Sequence, residues 1–189
     1  MLSYFDLRKG VQFILDGEPY EVLDFQQTYK AQDMVVAKTK IKNLINGKVL
    51  EKTFHQSDKF EEAELKKIEV KFLYSHRGKF YFSEAGNPAK RFQLEESQIG
   101  EGAKFLKSNQ ILIGIIFQGK IINVVLPIKV YLKVTEAPPG IKGDRAQGGN
   151  KSVTLETGAK INVPLFIEKG DIVEVNTETG EYVRRVDEN

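Results

Sequence analysis

Short apolar stretches separated by glycine-containing turns recur along the whole chain of 189 residues. Each turn joins two stretches in which apolar and polar residues alternate, as in VQFILDGEPYEVLDF. Asp-Gly and Asn-Gly favour β-hairpins because both central residues accept a positive φ angle. Five such turns predict an all-β protein of short strands, folded as barrels or sandwiches: Asp16-Gly17, Asn46-Gly47, Arg77-Gly78, Gln118-Gly119 and Thr179-Gly180.

One segment has a helical pattern instead. In ESQIGEGAKFLK, Ile99, Ala103 and Leu106 fall on one side of a helix, although two glycines within the segment disfavour it. We therefore expect one short helix in the middle of the chain.

The chain divides into three predicted β units, residues 1–65, 66–128 and 129–189. The acidic segment SDKFEEAELKK separates the first unit from the second, whereas the second continues almost without a break into the third. Each unit is small for a barrel, so we expect packing between neighbours to contribute to stability.

Charge is unevenly distributed although the net charge is only +2. Residues 66–129 contain 11 Lys and Arg against 5 Asp and Glu, whereas the flanking segments are slightly acidic. This asymmetry predicts a surface for a polyanion, with a plain solvated surface as the alternative.

Composition and the N-terminal sequence limit the class of protein. There is no cysteine, which excludes disulfides and thiolate metal sites. MLSYFDLRKG contains an acid and no apolar segment typical of a signal peptide, and the longest apolar run, Ile111–Phe117, is too short to span a bilayer. We expect a soluble, cytoplasmic protein.

A row of lysines is the first candidate binding feature. In VVAKTKIK, alternation places Lys38, Lys40 and Lys42 on one face of a strand. Neighbouring amines repel each other, so phosphates of a nucleic acid would explain the row. The alternative is an exposed lysine face that prevents edge pairing.

The second candidate is the glycine-rich segment from Ala137 to Gly158, which includes Lys142 and Arg145. Its exposed backbone amides could approach a phosphate backbone, but a mobile surface loop has the same composition.

Catalytic and metal-binding motifs are not evident. His55 and His76, the two histidines, lie in separate units, and we expect both to be surface or edge-strand residues. No nucleophile elbow, P-loop or metal-ligand spacing occurs in the sequence. We expect no enzymatic activity, no cofactor and no metal, although residues distant in sequence can still meet in space.

Several longer segments resemble the bacterial elongation factor P family across essentially the whole chain. They are DGEPYEVLDFQ, KTKIKNLINGKVLEKTF, IGEGAKFLK and the C-terminal stretch from PGIKGDRA to GEYVRRV. The resemblance implies a KOW/SH3-like barrel followed by two OB-fold barrels in an L-shaped arrangement. It also implies binding of the 70S ribosome beside the P-site peptidyl-tRNA, with contacts to rRNA, to relieve stalls such as consecutive prolines. We expect a monomer without membrane contact. The alternative function is that of an OB/KOW RNA-binding protein acting as an RNA chaperone or ribosome-assembly factor.

The resemblance also assigns a loop tip near the CCA end of the tRNA. Family members have Pro-Gly-Lys-Gly at this tip, with Arg for Lys in some, whereas this chain has Lys30, Ala31, Gln32 and Asp33. Gln32 takes the position of the modified residue, and a neutral amide is too poor a nucleophile for lysylation or rhamnosylation. Lys30 is an alternative target for modification. The row of lysines behind the tip is implied to face tRNA.

In the third unit the resemblance points to the small-subunit side of the E site. Gly143 and Asp144 match the family's Gly-Asp loop, with Arg145 where Thr or Pro is usual. Tyr182 and Arg185 match the C-terminal Gly-Glu-Tyr-Val-x-Arg segment. Tyr182 could instead be a packing residue of the last hairpin.

Overall fold

A computed structural model describes residues 1–30, 34–139 and 149–186, and these residues form a mostly β protein. The first part contains β1 (Leu2–Ser3), β2 (Gln12–Leu15), β3 (Glu18–Lys30), β4 (Met34–Asn43), β5 (Val49–Phe54) and β6 (Lys59–Phe60). The middle part contains β7 (Lys66–His76), β8 (Lys79–Glu84), β9 (Asn87–Glu95), β10 (Ile111–Phe117) and β11 (Lys120–Val125). The last part contains β12 (Lys129–Glu136), β13 (Asn150–Leu155), β14 (Lys160–Pro164), β15 (Ile172–Asn176) and β16 (Tyr182–Val186).

The first sheet is an antiparallel meander in the order β2-β3-β4-β5, accompanied by the short pair β1-β6. An isolated bridge between Phe13 and Glu62 ties the meander to the segment that follows β6. The sheet therefore curls around its own core as a half-barrel. Three aromatic rings meet in that core: Phe13, Phe54 and Phe60 pack edge to face, with centroids 4.8 to 6.0 Å apart.

The middle and last sheets share one topology. Their orders are β11-β10-β7-β8-β9 and β14-β13-β12-β15-β16, and both place the first strand of the unit at the centre. Each order corresponds to a five-stranded OB barrel opened between its third and fifth strands. Contacts of β9 with β11, and of β14 with β16, show that both sheets curl towards closure. Each of the three main sheets takes its strands from one predicted unit, and we propose the same bounds for the domains.

The predicted hairpins occur at all five places. Asp16, Arg77 and Gln118 have positive φ angles, as does the glycine after each, which is the geometry of a two-residue turn. The turns at Asn46-Gly47 and Thr179-Gly180 are longer, with positive φ at the glycine. Turn chemistry was therefore sufficient to locate these hairpins.

The predicted helix is divided into two. A single α-helical turn, α1 (Glu96–Ile99), is followed by a 3₁₀ helix at Glu101–Phe105. Gly100 separates them with φ 93° and ψ −169°, a conformation outside the helical region. A second 3₁₀ helix, Tyr4–Asp6, lies near the N-terminus. None of the helices in the described ranges has the length and hydrophobicity of a membrane-spanning segment.

Buried polar bonds join the first sheet to the middle sheet. Asn123, which is buried, donates from Nδ2 to the carbonyl oxygens of Leu44 at 3.3 Å and Gln98 at 2.9 Å. Gln98 in turn donates from Nε2 to the carbonyl oxygen of Ile45 at 2.8 Å. A small apolar cluster that includes Leu44 and Phe117 accompanies these bonds. The β4–β5 turn is thereby fixed against α1 and β11.

The middle and last parts also share side chains. Phe105, only 1% exposed, belongs to the core of the last sheet although it lies in the 3₁₀ helix of the middle part. Lys107 Nζ forms an ion pair with Glu156 at 2.9 Å. Burial opposes ionisation of Glu156, but hydrogen bonds from the Lys133 amide and Lys107 lower its pKa overall. Thr177 Oγ1 donates to the carbonyl oxygen of Pro127 at 2.7 Å.

Candidate nucleic-acid interface

The β3–β4 hairpin extends beyond the rest of its sheet. Its ladder continues to the pair Lys30–Met34, whereas the β4–β5 ladder ends at Ala37–Phe54. Three further residues of β4 thus form a two-stranded extension of about 10 Å. The predicted tip residues Ala31, Gln32 and Asp33, which follow Lys30 in the sequence, lie outside the described residues.

An exposed aromatic residue stands next to the tip. Tyr29 is 74% exposed and pairs with Val35 in the last part of the ladder. Its ring is therefore available for contact with a partner. Sequence reasoning missed Tyr29, and the signal available was its position one residue before the predicted tip.

The lysine row has the predicted alternation. Lys38 and Lys40 are exposed and Lys42 is half-buried, while Ala37, Thr39 and Ile41 between them are buried. Thr39 Oγ1 donates to the carbonyl oxygen of Lys52 at 2.9 Å, which satisfies its buried hydroxyl. The three amines therefore share the outer face of the first sheet.

Acidic residues face part of this row across the sheet. Lys40 lies between Asp24 on β3 and Glu51 on β5, and Lys42 is paired with Glu21. Opposite charges at directly paired positions attract each other, so phosphates are not needed to explain the row.

Lys38 differs from its two neighbours. It faces Gln26 on β3 and Thr53 on β5, neither of which carries charge. Lys38 is also the member of the row nearest to the tip. Its charge is therefore the most available to an anionic partner.

In the last sheet, Tyr182 and Arg185 have different environments. Tyr182 is half-buried, is paired with Val175 and packs against the core, so the packing interpretation holds for its ring. Arg185 is exposed, and its guanidinium carbon lies 5.8 Å from the centre of the Phe166 ring. Phe166 is itself exposed, so this cation–π pair stands on the surface.

A buried carboxylate lies on the outer face of the same sheet. Glu174 is 1% exposed, with Lys129 Nζ 2.9 Å from Oε1 and Arg184 Nε 2.8 Å from Oε2. The hydrogen bond from Lys129, followed by that from Arg184, holds the pKa of Glu174 below its ordinary value despite burial. Arg184, which the sequence analysis did not single out, is thus fixed by a charge within the fold. The alternating pattern of IVEVN gave no sign that its acid is buried.

The predicted site residues lie on two separate sheets. The lysine row belongs to β4 of the first sheet, and Tyr182 and Arg185 belong to β16 of the last. Gly143, Asp144 and Arg145 lie outside the described residues. His55 and His76 are exposed, and the described residues contain no group of three His, Cys, Asp or Glu that could hold a metal ion.

Comparison with known proteins gives consistent matches along the chain. A family model described as the elongation factor P (EF-P) KOW-like domain matches residues 3–60, and one described as elongation factor P, C-terminal, matches residues 130–185. Elongation factor P of Carboxydothermus hydrogenoformans is 40% identical over 186 residues, covering 98% of this chain and 100% of that protein. Elongation factor P of Alkaliphilus oremlandii is 42% identical with the same coverage. Among solved structures, eukaryotic translation initiation factor 5A from Methanococcus jannaschii has 18% identity, covers 66% of this chain and 92% of that chain, and gives a TM-score of 0.49, a likeness too low to support a conclusion.

Proposed function

The chain belongs to the elongation factor P family, a family of translation elongation factors, and from this membership we propose that it acts on stalled ribosomes. It binds beside the P-site peptidyl-tRNA and promotes peptide-bond formation at sequences such as consecutive prolines. Its partners in this role are the ribosome, the peptidyl-tRNA and rRNA.

The extended β3–β4 hairpin is the observation that carries this proposal. A two-stranded extension that ends in a short loop can enter a narrow space that the curled sheet behind it cannot. The ladder pairs from Thr28–Val36 to Lys30–Met34 hold the two strands of that extension together. The hairpin would therefore deliver Gln32 to the CCA end of the peptidyl-tRNA.

Assistance by position needs no catalytic group. Proline is a slow partner in peptidyl transfer because its ring fixes φ and restricts the reacting geometry. A protein that restrains the peptidyl-tRNA lowers the entropic part of the barrier without donating or accepting a proton. Factors of this family are in general non-catalytic, which agrees with such a role.

Gln32 gives the tip a neutral amide that can donate and accept hydrogen bonds without enzymatic modification. An unmodified tip reaches less far, so its loop must be held with less conformational freedom. Ala31 and Asp33, which replace the family's glycines, restrict the unbound loop and reduce the entropy lost on binding.

The remaining site residues take supporting roles in the proposal. Lys38, with Lys40 and Lys42 behind it, contacts the phosphate backbone of the tRNA. The segment with Gly143, Asp144 and Arg145 approaches the small-subunit side of the E site, together with Arg185. The packed ring of Tyr182 positions β16 for that contact.

A reconstituted translation assay with a three-proline reporter tests the proposal. Wild-type protein should relieve the stall, and Gln32→Ala should lose most of that relief while it still binds ribosomes. Intact mass of the protein from its native host should show no adduct on residues 30–33. An adduct on Lys30, or full activity of Gln32→Ala, would contradict an unmodified Gln32 as the working tip.

Ribosome profiling separates this role from that of an RNA chaperone or assembly factor. Deletion of the gene should produce pauses at proline runs. Uniform ribosome occupancy at such runs, combined with defects in ribosomal subunits, would favour the alternative.

A further inference from the structure

The outer face of the middle sheet combines two features that the proposed function does not use. One is a stacked pair of tyrosines, Tyr74 on β7 and Tyr81 on β8, with ring centroids 4.6 Å apart and planes inclined by 20°. The other is a pair of cations, the half-buried Lys71 and the exposed Arg91. We propose that this face, named here the Tyr74 face and defined by these four residues, binds single-stranded RNA.

Strand register places these side chains on one surface. Tyr74 is paired with Tyr81, and in the neighbouring row Lys71 and Arg91 are the two partners of Ser83. Directly paired residues point to the same face of a sheet. Phe80 and Phe82, which alternate with Tyr81 and Ser83 along β8, are buried in the core. The Tyr74 face is therefore the side of the sheet away from the core.

The tyrosine pair leaves one ring available. Tyr74 is 49% exposed although it is stacked on Tyr81, which is half-buried and holds it in place. An aromatic ring of fixed orientation is a platform on which an unpaired base can stack, whatever its identity. Gln93, exposed and paired with Tyr81, could form hydrogen bonds with the edge of that base.

The two cations are free to bind phosphate. Within the described residues neither Lys71 nor Arg91 forms an ion pair, whereas Lys79 on the same face is 3.9 Å from Glu95. They contribute to the surplus of positive charge in residues 66–129. Charge complementarity therefore favours an anionic partner over a neutral one. The exposed ring of Tyr74 favours RNA among anionic partners, because unpaired bases can stack on it.

An RNA duplex would use this face poorly. Its bases are stacked within the helix and could not lie on Tyr74, although its phosphates could still reach the two cations. The Tyr74 face should consequently prefer an unpaired strand, with affinity that depends on both the ring and the charges. This binding requires neither a ribosome nor the tip loop.

Fluorescence anisotropy of the full chain with a labelled 12-nucleotide oligoadenylate RNA tests the proposal. Tyr74→Ala should weaken binding by about tenfold, while Tyr74→Phe, which keeps the ring, should bind within about twofold of wild type. The double variant Lys71→Gln/Arg91→Gln should reduce the slope of log K against log[salt] by about 1.4, since each contact with a single strand contributes about 0.7 to that slope. The control with the same charge change is Lys66→Gln/Lys120→Gln, at positions outside the face, and its slope should remain that of wild type.

Four results would overturn the inference. The first is no binding of the oligoadenylate by the wild-type chain, and the second is a double variant that behaves like the control. The third is an equal loss for oligoadenylate and a 12-base-pair RNA duplex on Tyr74→Ala. If Tyr74→Ala instead weakens ribosome binding without affecting either RNA, the face contacts ribosomal protein and the inference is wrong. Relief of proline stalls is measured separately, so its failure leaves this test intact.

Discussion

Gly47 in the β4–β5 turn lies against the backbone of Ser97 in α1. A Cβ atom at Gly47 would stand 2.6 Å from the Ser97 carbonyl oxygen and 3.2 Å from that of Gln98. The glycine also has φ 74°, in the left-handed region. Backbone conformation and close approach thus both require glycine at the junction of the first two sheets.

Gly47→Ala should therefore destabilise the protein more than the same change at an ordinary left-handed glycine. The left-handed conformation costs about 1–2 kcal/mol with any side chain, and the contact with Ser97 should add about 1–3 kcal/mol. Gly78→Ala is the control, because Gly78 has φ 75° and a Cβ atom there would meet no other atom within 4 Å. Chemical denaturation gives the free energy of unfolding of both variants. An equal loss of stability in the two would show that the junction adapts to the added methyl group.

Glu174 should make stability depend on pH in the acid range. Its pKa in the folded protein is held below the ordinary value of 4.5, chiefly by the hydrogen bond from Lys129. The ionised carboxylate thus stabilises the fold fully above that ordinary value, and this contribution is lost as pH falls through the folded pKa. Thermal unfolding should show a lower Tm for Glu174→Gln at neutral pH, with the difference from wild type shrinking on acidification.

Glu178, exposed in the turn before β16, provides the comparison for Glu174. Glu178→Gln should leave the Tm near the wild-type value at every pH. If the plot of Tm against pH for Glu174→Gln runs parallel to the wild-type plot, the interactions of Lys129 and Arg184 do not depend on the negative charge of Glu174.

Lys38 should matter more for RNA binding than Lys40. Lys40 is flanked by Asp24 and Glu51, whereas Lys38 faces neutral residues, so Lys38 is freer to release counterions from a phosphate. Lys38→Gln should flatten the salt dependence of ribosome or tRNA binding by about 0.7, and Lys40→Gln by less. Lys48→Gln, at an exposed lysine of the adjoining turn, is the control. Equal salt-dependence slopes for Lys38→Gln and the control would show that the lysine row faces solvent and does not contact phosphate.

Phe105 should carry a large share of the stability of the last sheet. Phe105→Ala would leave a cavity in a well-packed core, at a cost of about 3–5 kcal/mol. Phe166→Ala removes the same side chain from a surface site, where loss of its pair with Arg185 should cost less than about 1 kcal/mol. Similar denaturation midpoints for the two variants would show that the core collapses around the missing ring.

The sequence predicted the features that depend on neighbouring residues. Asp16-Gly17 and the other glycine turns located the hairpins, because a turn's φ angles are decided within two residues. Alternation around Lys38 separated the exposed from the buried face of β4, because strand side chains alternate by geometry. Gly100 was recognised as a weak point of the helix, and it is where the helix divides.

Features that depend on distant residues were not predictable in this way. Asp24 and Glu51 meet Lys40 only once the register of three strands is fixed. Glu174 stands in an apolar segment, and its two cationic partners lie on different strands. Such pairings require the tertiary structure because no local pattern determines which strands become neighbours.

Phe105 lies in the middle part of the chain but packs in the core of the last sheet, and this limits where recombination can divide the gene. The two OB-type sheets have the same strand order, which invites the view that they are interchangeable modules. Yet the last sheet fills its core with a residue encoded more than twenty positions before its first strand. A recombination breakpoint just before Lys129 would transfer the last sheet without Phe105. Recombination between genes should therefore keep the stretch from Phe105 onward together as one unit.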